Sequence, residues 1–256
     1  IETFIENDFK VTQAQLEKHT TEKTRMVIFS SPCNPSGSVF TESDLGEIAS
    51  YLRAHTSILA ISDEIYELIT FSGKHKSLAT FEGIYNQVVT VNGMSKGFAM
   101  TGWRIGYIGA PQWLADACTK MQGQFTSAAS AISQKAALAA VQANPEVVND
   151  MRNAFIKRRD LVVSLLKDIP GFVTNLPQGA FYVFPNVDDF FGKKYEGKKI
   201  ENAADLCLYF LEKAHVALVP GDAFGSPNCL RISYASSEEQ LKEALKRIKE
   251  AAQKLL

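Results

Sequence analysis

The 256-residue sequence has little that points outward to an oxidising compartment, a membrane or a nucleic acid. Its four cysteines, Cys33, Cys118, Cys207 and Cys229, lie far apart, and no Cys-x-x-Cys pair occurs. That spacing is neither a disulfide framework nor a zinc signature, and it predicts reduced thiols in a cytoplasmic protein without a metal. Charge of one sign is missing too: 27 Lys plus Arg face 28 Asp plus Glu, a formal net charge of −1. No long-range field is available to attract nucleic acid or anionic membrane, so neither is expected as a partner. No apolar run approaches the ~20 residues that cross a bilayer, and no basic-then-apolar leader opens the chain. Ile1-Glu-Thr-Phe4 also lacks an initiator methionine and enters ordinary globular sequence directly, so a segment is expected upstream.

What is present is ample apolar sequence, 46% of residues, enough for a substantial core. Arg25–Ser30, Ser57–Ser62 and Gln87–Val91 read as short apolar strands, and Trp103–Gly109 as a further one. Thr41-Glu-Ser-Asp44 caps a helix to about Arg53, with Leu45, Ile48, Ala49 and Leu52 on one face. Strands that are continuously apolar rather than alternating imply a sheet covered on both faces, which predicts an α/β fold with a mostly parallel sheet. Helices follow from Pro111 to about Gln122, from Ser127 to about Gln142, and from Pro145 to about Leu166. Beyond them Ala180–Phe184, His215–Val219 and Cys229–Ser233 read as strands, interleaved with helices at Ala203–Lys213 and Ser237–Leu256. The expected organisation is a large domain over residues 1–150 and a smaller α+β domain over 151–256.

In parallel α/β sheets ligands bind beyond the carboxyl ends of the strands. Three such ends carry polar residues: Asn34 in Pro32-Cys-Asn-Pro35, Asp63 with Tyr66 in Asp63-Glu-Ile-Tyr66, and Ser95-Lys96 in Asn92-Gly-Met-Ser-Lys96. A lone lysine is usually a surface ammonium. Lys96, however, sits between Val88–Val91 and Phe98-Ala-Met100, where partial burial lowers an amine's pKa and makes it a competent Schiff-base nucleophile. By itself Asp63 fits a magnesium ligand or a satisfied structural carboxylate equally well. Taken with Lys96 it fits pyridoxal phosphate, which needs a lysine for its aldehyde and an anion to keep its ring nitrogen protonated. Alone, Tyr66 and Asn34 are ordinary core filler and turn chemistry. Arg104, in Gly102-Trp-Arg-Ile-Gly106, suits a phosphate gripped with the help of Ser95, a weak signal in isolation. Arg231, between Leu230 and Ile232 in an apolar strand, needs an anion such as a substrate carboxylate.

Together, Asn34-Pro-Ser-Gly37, Asp63-Glu-Ile-Tyr66, Ser95-Lys-Gly-Phe-Ala-Met-Thr-Gly-Trp-Arg-Ile-Gly106 and Cys229-Leu-Arg-Ile-Ser233 resemble the fold-type I, class I aminotransferases, in order and over nearly the whole chain. Gly179-Ala-Phe-Tyr-Val183 and Pro220-Gly-Asp-Ala-Phe224 resemble the bacterial aspartate aminotransferase branch. The resemblance implies a fold-type I transferase that carries pyridoxal 5'-phosphate on Lys96 as an internal aldimine. Lys96 would also move the proton between substrate Cα and the cofactor, and Asp63 would pair with the pyridine nitrogen. Asn34 and Tyr66 would hydrogen-bond the ring oxygen, Ser95 and Arg104 would bind the phosphate, and Arg231, with Asn34, would hold the substrate α-carboxylate. The substrates implied are an amino acid, aspartate first, and a 2-oxo acid, within a homodimer when intact. Members of this family carry a further segment before this point, with a phosphate turn, a ring-stacking aromatic and a tyrosine lent across the dimer. Their absence here predicts a fragment that is poorly active alone. Three alternatives stay open: an aromatic or broad-specificity aminotransferase, a carbon–sulfur lyase using the same Lys96, Asp63 and Arg104, and a non-catalytic aminotransferase-like effector domain.

Overall fold

A computed structural model describes residues 1–255. The chain divides into two compact units, the first comprising Lys10–Cys33 and Val39–Arg152 together with Ile1, the second Glu2–Phe9, Asn34–Ser38 and the chain from Asn153 onward.

In the first unit β1 (Met26–Ser30), β2 (Leu59–Asp63), β3 (Val88–Gly93) and β4 (Gly106–Gly109) form one sheet in that spatial order. The pairs β1–β2 and β2–β3 are parallel, with Ser30 opposite Asp63 and Asp63 opposite Val91, whereas β4 returns antiparallel with Gly106 opposite Gly93. Parallel neighbours end at the same edge, so the register brings the residues after β2 and after β3 side by side. Helix α1 (Gln13–His19) and helix α2 (Glu42–Ala54) each start with a capping box, Thr12 with Gln15 and Thr41 with Asp44. Leu45, Ile48, Ala49 and Leu52 of α2 recur at helical spacing and are buried against Ile58, Ala60, Leu78, Ile84 and Val88. The far end of α2 is closed by a buried glutamine: Gln87 Nε2 donates to the carbonyls of Leu52, His55 and Ile58 at 2.9–3.0 Å. That duty holds Gln87 in a short 3-10 turn, so β3 starts one residue later than the apolar pattern predicts. The rest of the unit is much more open. β4 and helix α3 (Gln112–Phe125) contain no buried residue, and helix α4 (Ala131–Gln142) buries Ser133. Trp113, Met121, Phe125, Ile132 and Leu138 lie exposed there.

In the second unit the greater part of α5 (Asn149–Lys167), from Asn153 on, with α6 (Ala203–Ala214) and α7 (Glu238–Ala252) accompanies a small sheet in the order β5 (Tyr182–Val183), β9 (Leu230–Ser233), β8 (Val219–Pro220). A separate hairpin, β6 (Lys194–Tyr195) with β7 (Lys198–Lys199), had no counterpart in the apolar pattern. Leu241, Leu245, Ile248 and Ala252 make one buried stripe on α7, and Tyr209 of α6 donates its hydroxyl to the Ala251 carbonyl at 2.8 Å. The strand expected over His215–Val219 shrinks to Val219–Pro220, because His215 takes a left-handed φ of 55° as the C-cap of α6. The last helix ends at Ala252 rather than running on, and Leu256 lies outside the described residues. Gly37 shows why one turn must be glycine: φ is +68°, and a Cβ would stand 2.5 Å from Pro177 Cβ and 2.9 Å from the Tyr182 carbonyl. Its own carbonyl accepts from the amides of Gln178 and Gly179 at 2.8 and 2.9 Å.

Candidate active site

The first unit gathers five of the expected site residues where β2 and β3 end. Asp63 is the last residue of β2, half-buried, and its Oδ1 accepts from the Ile65 amide at 3.1 Å, an Asx turn that starts the next segment. Glu64 N donates to the Val91 carbonyl at 2.8 Å, tying that turn to β3. Tyr66 follows, 3% exposed. On the neighbouring strand end, Met94 anchors a tight turn: its carbonyl accepts from Phe98 and Met100, and the Lys96 carbonyl accepts from Ala99. Ser95 and Lys96 are half-buried within this turn. Lys96 Nζ lies 5.8 Å from the centre of the Tyr66 ring, so the two strand ends meet through an amine over an aromatic face.

Glycine permits this approach. A Cβ on Gly97 would stand 2.8–3.2 Å from Leu68 side-chain atoms, and one on Gly93 would stand 2.9 Å from the Gly106 Cα. Arg104 is exposed, at a left-handed φ of 50°, and its Nη1 donates to the Thr101 carbonyl at 2.9 Å. Ser133 of α4 ties down the 3-10 turn Thr101–Trp103, which Arg104 ends, by donating to the Trp103 carbonyl at 2.8 Å.

The second unit holds the remaining two expected residues together. Arg231 of β9 donates from Nη1 to Asn34 Oδ1 at 2.8 Å. Its guanidinium carbon sits 4.6 Å from the centre of the Tyr182 ring and 5.0 Å from that of Phe224. Arg231 Nε is buried with no hydrogen-bond partner, and among the described residues Arg231 joins no salt bridge. A charged donor so placed is costly unless an acceptor arrives. The sequence pointed to Arg231 and Asn34 but gave no role to Tyr182 or Phe224. Both lie in the stretches quoted for the family likeness; Tyr182 sits on the strand paired with that of Arg231, and Phe224 in the 3-10 turn after β8. Cys229, two residues before Arg231, is no nucleophile here: burial, then the charges of Asp188 and Glu6, push its thiol up to about 12.

Comparison with known proteins decides the family. The model for aminotransferase class I and II matches residues 1–248. The chain belongs to that family. It is 47% identical over 254 residues to a bifunctional aspartate aminotransferase and glutamate/aspartate-prephenate aminotransferase of Petunia hybrida, covering 97% of this chain and 53% of the relative. With an aspartate aminotransferase of Rhizobium meliloti (strain 1021) it shares 43% identity, covering 96% of this chain and 61% of that protein. The crystal structure of the aspartate aminotransferase from Rhizobium meliloti superposes with a TM-score of 0.96 at 41% identity, over 100% of this chain and 65% of that one. An aromatic aminotransferase from Pyrococcus horikoshii gives a TM-score of 0.90 at 38% identity, over 98% of this chain and 66% of that one. The chain thus spans between about half and two thirds of these relatives' length, and its fold is that of the fold-type I aminotransferases.

Proposed function

We propose that this chain is the cofactor-bearing part of a pyridoxal-phosphate-dependent aminotransferase that moves an amino group between aspartate and 2-oxoglutarate. The observation that carries the reading is the Lys96 amine over the Tyr66 ring, at the edge where Asp63 ends the neighbouring parallel strand. Family membership and the relatives named for aspartate support it. The donor set also fits the cofactor: an amine for the aldehyde, a carboxylate for the ring nitrogen, a phenol, and a hydroxyl and guanidinium for the phosphate. We further propose residues 1–150 as the cofactor-binding domain and 151–256 as the small domain, in a cytoplasmic homodimer.

When bound, the cofactor supplies an electron sink for the carbanion left at the substrate Cα. Lys96 would take and return the proton at the substrate Cα. Asp63 would pair with the ring nitrogen, and Tyr66 and Asn34 would offer hydrogen bonds to the ring oxygen. Ser95 and Arg104 would hold the phosphate. Arg231, whose Nε is left without a partner and whose guanidinium lies near the Tyr182 and Phe224 rings, would take the substrate α-carboxylate.

The likeness to the Pyrococcus enzyme favours one second reading, an aromatic or broad-specificity donor. Coupled assays with aspartate, phenylalanine and tyrosine against 2-oxoglutarate separate the two by kcat/KM. Release of pyruvate and ammonia from cystathionine faster than any amino transfer would sink transamination and point to a lyase.

A further inference from the structure

Between Asp63 and Tyr66 stands a carboxylate to which the reading above gives no task. Glu64 is 2% exposed. Burying an acid is costly unless its oxygens are filled, and here they are filled from both sides of a loop. Oε1 accepts from Ser62 Oγ at 3.0 Å, from Ser77 Oγ at 2.9 Å and from the Leu78 amide at 3.4 Å, while Oε2 lies 2.9 Å from His75 Nε2. Ser62 belongs to β2, whereas His75, Ser77 and Leu78 return more than ten residues later. The enclosed stretch carries Tyr66 and Leu68, the residues that meet Lys96 and Gly97.

We propose that Glu64 is a positioning residue: its buried carboxylate, gripped by Ser62, His75 and Ser77, closes the loop over residues 64–78 and so holds Tyr66 against Lys96. The importance of that placement for amino transfer rests on the function proposed above; the clamp itself does not. Glu64, Glu67 and His75 also offer ligand-type atoms within 4.8 Å of one another, the donor types of a divalent cation. Four protein groups already reach the Glu64 oxygens, so the set closes on itself rather than opening on an ion. Tyr107, whose phenol is pushed up by burial and by the Glu67 and Glu64 charges, is the further titratable group that senses this cluster.

The test compares wild type, Glu64→Gln and Glu64→Ala as the full chain. Amide hydrogen exchange reads the loop directly, with α2 as the internal reference. Glu64→Ala should raise exchange over residues 64–70 and 75–78 at least tenfold with α2 unchanged, and Glu64→Gln, which keeps Oε1, should restore most of the protection. Unchanged exchange in the loop, or an equal rise in α2, overturns the clamp, as does a rise in melting temperature with zinc or manganese that Glu64→Gln abolishes. Borohydride trapping of pyridoxal phosphate, mapped by mass spectrometry, then reads the consequence: the yield at Lys96 should fall at least fivefold in Glu64→Ala and recover in Glu64→Gln. Equal trapping in wild type and Glu64→Ala contradicts the positioning role. No trapping at Lys96 in wild type counts against the cofactor reading, while the exchange data still decide the clamp.

Discussion

Lys96 and Arg231 are both cations set into partly apolar surroundings, and the two units hold them by different means. Lys96 sits in a turn pinned by backbone hydrogen bonds, its amine over one aromatic ring. Arg231 lies over two aromatic rings, with an amide oxygen on one guanidinium nitrogen and nothing on Nε. An ammonium can lose its proton and react; a guanidinium stays charged and presents a planar fork. The difference teaches which cation is placed for bond making and which for grip, and the substitutions that follow separate chemistry from charge.

The largest effect is expected at the reacting amine. Lys96→Ala should lower amino transfer from aspartate by ~10³-fold or more, the scale of a lost proton carrier. Lys96→Arg should be no better, because it keeps the charge without the nucleophile; a coupled assay with single-turnover controls reads both. At the other cation, Arg231→Ala should raise KM for aspartate roughly a hundredfold, about 3 kcal/mol, with kcat changed much less. Arg231→Lys should recover only a small part of that loss, since a point charge neither stacks nor forks. Full recovery would erase the distinction drawn between the two sites.

Two glycines, Gly37 in the second unit and Gly73 in the first, test how tightly each backbone is set. Gly37→Ala combines a left-handed φ with a Cβ clash at 2.5 Å, whereas Gly73, at φ +69°, has open space around it. Melting temperatures should show a loss of about 3 kcal/mol for Gly37→Ala and about 1 kcal/mol for Gly73→Ala. Among the site substitutions Tyr66→Phe should do least. It keeps the ring beneath Lys96 and removes the hydroxyl, for a fall of roughly tenfold in kcat, the scale of one hydrogen bond.

Much of this arrangement was legible in the residues. The capping box at Thr41 and the apolar spacing of Leu45, Ile48 and Leu52 predicted α2, and the runs ending at Ser30, Ser62 and Val91 predicted the parallel strands, because both are local patterns repeated with the period of the element. The positions of Asp63 and Lys96 after such runs followed from the same logic. What escaped was set by partners distant in sequence. Gln87 looks like a strand residue until the α2 carbonyls claim its amide. His215–Val219 has a strand's composition, yet most of it serves the end of α6. Tyr182 and Phe224 are ordinary aromatics until β5 and the turn after β8 bring them to Arg231. Glu64 reads as a surface acid between two better-known neighbours, and nothing local announces the His75 and Ser77 that bury it.

The most direct test of the central claim is the near-ultraviolet and visible absorption of the chain with pyridoxal phosphate, beside Lys96→Ala, before and after aspartate is added. The account predicts a band that depends on Lys96 and that aspartate converts to the spectrum of the aminated cofactor. A band that is the same in Lys96→Ala, or no band in either protein, would contradict the assignment of Lys96 as the residue that carries the cofactor.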